Sequence, residues 1–302
     1  MADFRCSAWA ERRGDDLAGT ASTVRAFLLL EHPGPWGVDA LRDSRMPAAL
    51  GPALQRHAAA HGVRPLLVRR PGRSPGSDGV RVFVVSTRPD PWTETALLPD
   101  LEAVLDLDLA ALAVGRSLGL DRHHDPLVLV CTHGRHDTCC AERGRPVAAA
   151  LATMEPGLTW ECSHIGGDRF AGNVLVLPDG LYYGRLDAET APRMAAAHLD
   201  GRLDLDHLRG RSSLPMPVQA AEIALRRHLD EPRLDEVVLL GHRGVGGETV
   251  ARFAVGGGEY AVRVRSAGGD ETFALTCRAS VDSPVPRHEI VSIEALRRPR
   301  GD

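Results

Sequence analysis

Residues 131–140 read CTHGRHDTCC, and residues 158–173 read LTWECSHIGGDRFAGN. The first stretch follows LVLV (127–130), an apolar run that ends on Cys131 and predicts a buried strand. RGRPVAAALATM (143–154) is helical in composition, and LTWECSH (158–164) returns as a second strand. Two thiols, Cys131 and Cys140, therefore sit with eight residues between them after one strand. His164 and Asp168 sit with three residues between them after the next. Thiolates are soft donors that suit iron–sulfur iron or zinc, whereas imidazole and carboxylate are harder. Two close donor pairs on loops that follow strands predict a metal or cluster site, with [2Fe–2S] as the first reading.

Working outward, NVLVLP (173–178) and LYYGRL (181–186) flank Asp179-Gly180, which predicts a hairpin, and TAPRMAAAHLDG (190–201) reads as a helix. This stretch has the order β-α-β-β-α. The preceding residues repeat it. AFLLL (26–30) is a buried strand ended by the HPGPWG turn (32–37), and RMPAALGPALQRHAAAHG (45–62) is a helix with Gly62 as its C-cap. RPLLVRR (64–70) and VRVFVVST (80–87), parted by the turn-rich PGRSPGSDG (71–79), read as a hairpin. Residues 92–115 start strand-like and end as a helix. β-α-β-β-α is the thioredoxin-like order, so the expected fold is α/β (α+β) with two thioredoxin-like units. After a linker, SSLPMPVQ (212–219), come an amphipathic helix and an antiparallel sheet built from 235–242, 248–255, 259–266 and 271–279, with turns at GVGG, GGGE and GGDE. The expected domains are 1–120, 121–210 carrying the site, and 211–302.

Hydrophobic content of 43% and charge of 25% are ordinary for a globular protein, and the net charge of −4 leaves no basic footprint for nucleic acid. No apolar run is long enough to span a bilayer, and the N-terminus lacks a signal-peptide core, so the expectation is a cytoplasmic protein with no membrane partner. All 36 basic residues are arginine, which excludes a Schiff-base lysine and a Walker-type phosphate loop. Asn173 is the sole asparagine and stands beside the His–Asp pair. It reads as polar support for the site or as a turn residue, with Phe170 as a wall.

Four of the six cysteines cluster, at 131, 139, 140 and 162, which in a reducing compartment reads as metal-binding or catalytic. Cys6 and Cys277 stand alone and read as small hydrophobes. Spacing does not decide which of Cys139 and Cys140 is the ligand, nor whether Asp168 ligates, orients a ligand, or yields its place to Cys162. A Cys₂His zinc site competes on the same donors. His133 and His136 read as solvated loop residues.

CTHGRHDTCC, then WECSHIGGDRFAGNVLVLP, with LLLEHPGPWG (28–37) about a hundred residues earlier, resembles the sucrase/ferredoxin-like family, which contains a thioredoxin-like ferredoxin module and has a eukaryotic relative in the yeast actin-patch-distribution protein. The resemblance covers roughly Cys6 to Asp187. It implies a [2Fe–2S] cluster on two cysteines and two histidines in a C-x₈-C and H-x₃-H arrangement. Carried over, Cys131 and Cys140 are the thiolate ligands, Cys139 is spare, and His164 is the first histidine. Asp168 stands where the second histidine would be, a departure from the pattern. Glycoside hydrolysis needs two carboxylates flanking a scissile bond, and no such pair is singled out.

The expectation is therefore an oxidoreductase or electron-transfer component, not a glycoside hydrolase. It would bind the cluster through Cys131, Cys140, His164 and Asp168, with Asn173 beside it. A redox protein or a small electron donor or acceptor would be its partner. The alternatives are a thiol–disulfide oxidoreductase using Cys139 and Cys140 with a structural zinc, and a ligand-binding relative that holds no cluster.

Overall fold

The computed structural model describes residues 4–72 and 79–297, the Asp270 side chain excepted. A short helix, α1 (Cys6–Arg13), precedes the first strand, β1 (Ala26–Glu31). Helix α2 (Leu50–Ala60), β2 (Arg64–Arg69), β3 (Val80–Ser86), β4 (Trp92–Leu98), α3 (Leu109–Ala113) and β5 (Asp121–His123) follow. The second half holds β6 (Leu127–Cys131), α4 (Thr138–Met154), β7 (Thr159–Cys162), β8 (Val174–Leu177), β9 (Leu181–Tyr183), α5 (Thr190–Leu199) and β10 (Leu208–Arg211).

These strands form one sheet in the order β10-β9-β8-β6-β7-β2-β1-β3-β4-β5. Within it the same pattern occurs twice. β1 lies parallel to β2 and antiparallel to β3, which pairs with β4; β6 lies parallel to β7 and antiparallel to β8, which pairs with β9. Each half is thus a thioredoxin-like unit, but its order is β-α-β-β-β-α: the expected β-α-β-β-α is one strand short, because the second and third strands are followed by a hairpin partner, β4 in one half and β9 in the other. The central strands are apolar throughout because both faces are covered. Ala26, Leu28 and Leu30 of β1 pack with α2 and α3, and Val128 and Val130 of β6 pack with α4 and α5. The alternate residues Phe27, Leu29, Leu127, Leu129 and Cys131 meet in one core shared by both units.

The units join through β2 and β7, antiparallel and overlapping only at their ends, Val68 opposite Cys162 and Arg69 opposite Glu161. Because Val68 and Cys162 are also registered with their own units' first strands, Glu31, Val68, Cys162 and Cys131 form one row across the seam. The loops that follow β1 and β6 therefore converge there.

The final part comprises α6 (Met216–Leu229) and the strands β11 (Val238–Val245), β12 (Glu248–Val255), β13 (Gly258–Phe273) and β14 (Ser283–Arg297), a separate antiparallel sheet in that order. Val218, Ala221 and Leu225 of α6 pack on Ala251, Phe253, Val262 and Val264. Among the described residues no helix is long and apolar enough to cross a membrane.

Several expectations are corrected. β2 and β3 are both strands but not a hairpin: β1 lies between them, and the true hairpin is β3–β4. Residues 73–78 of the intervening turn lie outside the described residues. GGDE is not a turn; β13 runs through it with a register irregularity at Gly268, and 274–282 form the connection to β14. The predicted linker is shorter, since β10 ends at Arg211 and α6 begins at Met216. The Asp179-Gly180 hairpin stands as expected, with Val176 opposite Leu181.

Candidate metal centre

Strand alternation places Cys131 on the face shared by the two units, at the last position of β6. The chain then turns, and Asp137 caps α4 by accepting from the Cys139 amide at 2.9 Å. Cys140 therefore falls in the first helical turn, facing back toward Cys131. Helix and strand can approach this closely because residue 144 is glycine; a Cβ there would meet the Cys131 carbonyl oxygen at 2.1 Å.

The donor atoms of Cys131, Cys140 and His164 all lie within 4.8 Å of one another. Those of His136, His164 and Asp168 form a second such group that shares His164 with the first. Asp168 links the two: its Oδ1 accepts from Cys140 Sγ at 3.3 Å and stands 2.9 Å from His164 Nδ1, an ion-pair contact whose angle falls short of a hydrogen bond. Cys131, Cys140 and Asp168 are buried, while His164 retains 23% of its side-chain exposure. The site is thus graded, with thiols on the inside and imidazoles toward solvent.

Soft sulfur beside imidazole suits an iron–sulfur or a zinc centre. The residues present fit a metal group of this kind. Their protonation in the bare protein is a closed circuit. The contact with Cys140 holds the Cys131 thiol well below its ordinary value, with His164 adding to the effect, and the same contact together with burial pushes Cys140 up. Burial pulls His164 down, but the Asp168 carboxylate and Cys131 outweigh it and raise the imidazole to about 9. Asp168, pushed up by burial, is drawn below the carboxylate range by His164. A metal held by these donors would displace the Cys140 proton and the extra His164 proton.

The histidines of the 132–136 loop are not solvated bystanders. His133 is buried; its Nε2 donates to Gly37 O at 2.9 Å while its Nδ1 accepts from the His164 amide at 3.2 Å, which fixes the tautomer. His136 Nδ1 donates to Val38 O at 3.3 Å, and its ring stacks on His164 with centroids 3.9 Å apart. Trp36 meets His133 edge-on at 5.8 Å, under the Arg69 guanidinium at 4.4 Å. The HPGPWG turn of the first unit therefore forms a wall of the second unit's site. Val38, Asp39, His133, His136 and His164 open onto a cleft of about 580 Å³.

Asn173 does not reach the donors with its side chain. Its Nδ2 donates to Gly167 O at 2.8 Å, its Oδ1 accepts from Arg209 Nη1 at 2.7 Å, and its carbonyl accepts from the Cys131 amide at 3.0 Å. It supports both loops from behind, the 164–168 loop through its side chain and the end of β6 through its backbone. Phe170 is fully buried beneath the Arg169 and Arg209 guanidinium groups and walls the loop, not the donors. Cys162 belongs to the shared core and to neither of the two donor groups around His164. Cys139 and Cys140 point to opposite sides, all six cysteines are free, and the adjacent thiols are not presented as a dithiol. Sequence reasoning missed His136 and Arg209, the latter because nothing near LRGR signals a buried arginine.

The sucrase/ferredoxin-like family model matches residues 17–210, more than half of the chain. The chain belongs to the sucrase/ferredoxin-like family. The match includes every donor named above and stops before α6 and the second sheet. Two solved structures are similar over part of the chain: the thioredoxin-like [2Fe-2S] ferredoxin from Aquifex aeolicus and a cysteine-to-serine variant of it. The first is 20% identical, with 31% of this chain and 97% of that one covered and a TM-score of 0.27. The variant is 20% identical, with 29% and 100% covered and a TM-score of 0.25. No curated protein matches the chain significantly.

Proposed function

We propose that the chain carries single electrons, with Cys131, Cys140 and His164 as ligands of a [2Fe–2S] cluster and Asp168 completing the set. The carrying observation is the convergence of two buried thiols and an imidazole within 4.8 Å at the seam of two thioredoxin-like units. A bound [2Fe–2S] cluster supplies a one-electron couple whose potential depends on ligand type and solvent access. Cys131 and Cys140 bind on the buried side, where water is excluded. His164 faces the cleft and can release or take up a proton as charge changes, with Asp168 as its partner. His136 is the alternative fourth donor, favoured by its 3.9 Å stack on His164 and its place in the same donor group. The redox partner is a protein or small molecule that approaches the cleft edge at Val38–Asp39, and the compartment we infer is the cytoplasm.

Anaerobic purification, iron and acid-labile sulfide assays, and UV–visible and EPR spectra test this. The expected result is equimolar iron and sulfide, charge-transfer bands in the visible, and a reduced-state EPR signal, all abolished in Cys140→Ser. Asp168→Ala and His136→Ala separate the two fourth donors, since the true one shifts the potential and its pH dependence more. A protein that takes up neither iron nor sulfide on reconstitution refutes the reading and leaves a ligand-binding relative.

A further inference from the structure

Cys6 and Cys277 lie 271 residues apart, yet the fold brings them together beside Cys139. Cys277 sits on the 274–282 connection, which the long β13–β14 hairpin carries back to α1 and the start of α4. Its Sγ is 3.4 Å from Cys139 Sγ and 3.6 Å from Cys6 Sγ. Both carboxylate oxygens of Asp137 are 3.7 Å from Cys6 Sγ. One donor atom from each of the four residues lies within 4.8 Å of the other three. We propose that Cys6, Asp137, Cys139 and Cys277 form a second metal site, distinct from the Cys131 centre, that takes a single thiophilic dication, zinc in the first instance.

The spacing selects the occupant. Zinc–thiolate bonds of about 2.3 Å in a tetrahedron require sulfur–sulfur edges of about 3.8 Å. The observed 3.4 and 3.6 Å need only a slight expansion. Iron–sulfur clusters hold their thiolates across a wider core, so the group suits one ion. A disulfide needs a sulfur–sulfur distance of about 2.05 Å, and any one pairing would strand the third thiol.

Charge argues the same way. Asp137 is 1% exposed, and its oxygens accept from the Cys139 amide at 2.9 Å and the Cys277 amide at 2.6 Å, but among the described residues no arginine or histidine pairs with it. A buried carboxylate beside three thiols lacks a cation. Each thiol gives its proton to solvent as it ligates, and the amides of Cys6, Cys139 and Cys277 remain as donors to the anionic set. Three ligands are buried and Cys277 is partly exposed, which leaves a path for entry. An ion here pins α1, α4 and the C-terminal hairpin at one point.

The test uses the full chain with Cys131→Ser and Cys140→Ser, so that only the second site remains, and Co²⁺ as the probe. The expected result is one Co²⁺ per chain with the intense visible bands of tetrahedral thiolate coordination, displaced by one equivalent of Zn²⁺. Adding Cys277→Ala should weaken Co²⁺ binding by at least about 100-fold, more than an outer-shell change would, with the far-UV circular dichroism retained. In the otherwise wild-type chain the same replacement should remove zinc and leave the Cys131–Cys140 absorbance unchanged, which covers the case of a double variant that fails to fold. Tetrahedral cobalt that survives Cys277→Ala, no cobalt bound to the folded double variant, or a native mass lower by one disulfide would each overturn the assignment.

Discussion

Arg209→Met is the sharpest probe of how the donor loop is held. The guanidinium is buried and makes no ion pair among the described residues; burial pulls it down to about 10. It stays charged by donating to Thr20 Oγ1 at 3.1 Å, Gly166 O at 3.0 Å, Asn173 Oδ1 at 2.7 Å and Thr20 O at 2.6 Å, between the faces of Phe170 and Tyr182. Methionine fills much of the volume but leaves three acceptors unpaired, Asn173 Oδ1 buried and Gly166 O and Thr20 O half-buried. Each stranded acceptor costs about 1–3 kcal/mol. Release of the guanidinium's own desolvation offsets part of that sum, so the net loss is about 2–4 kcal/mol. Urea unfolding followed by tryptophan fluorescence reads it. Metal uptake at the Cys131 centre should fall as well, although every donor remains, because Gly166 and Gly167 lie between His164 and Asp168. A variant within about 1 kcal/mol of wild type, with undiminished uptake, would refute the claim that Arg209 organises the loop.

Gly144→Ala should cost about 1–3 kcal/mol and lower metal uptake, because the new methyl group displaces α4 from the Cys131 carbonyl; thermal melts and iron content check both. Glu222→Ala leaves the fully buried Arg226 without its carboxylate at 2.9 Å and should cost about 3–5 kcal/mol, read by urea unfolding. His207 is raised above its ordinary value by Asp204, 2.7 Å away. Its folded-state pKa exceeds the unfolded one, so the stabilisation is complete below about pH 6.5 and is lost as pH rises through the folded value. His207→Gln should therefore destabilise at acidic pH and be neutral at alkaline pH, in paired denaturation curves.

The individual strands and helices were legible because local patterns carry them, although the order read from them was one strand short in each half: Asp179-Gly180 between apolar runs fixes a hairpin, and AFLLL bounded by polar residues fixes a buried strand. The choice of strand partner was not. RPLLVRR and VRVFVVST are both apolar strands, and nothing in them reveals that β1 inserts between them. Spacing pointed to the two stretches but left Cys139 against Cys140 and Asp168 against Cys162 open, and the resemblance chose Cys131, Cys140 and His164; in the structure these three and Asp168 lie together. Cys6 and Cys277 were read as isolated hydrophobes, since contact across 271 residues leaves no local trace. His136 looked like a solvated loop residue because its stacking partner and its Val38 acceptor come from other segments.

The end-to-end overlap of β2 and β7 has a consequence for autonomy. It gives residues 26–211 the form of a two-fold pair of units within one polypeptide, one bearing the candidate donors and the other contributing a face. Gly37 O and Val38 O, both from the sister half, dictate which nitrogen of His133 and His136 carries the proton. Residues 121–210 excised alone would keep Cys131, Cys140, His164 and Asp168 and lose the carbonyls that set His133 and His136 against His164, so the donor-bearing half is not a portable module.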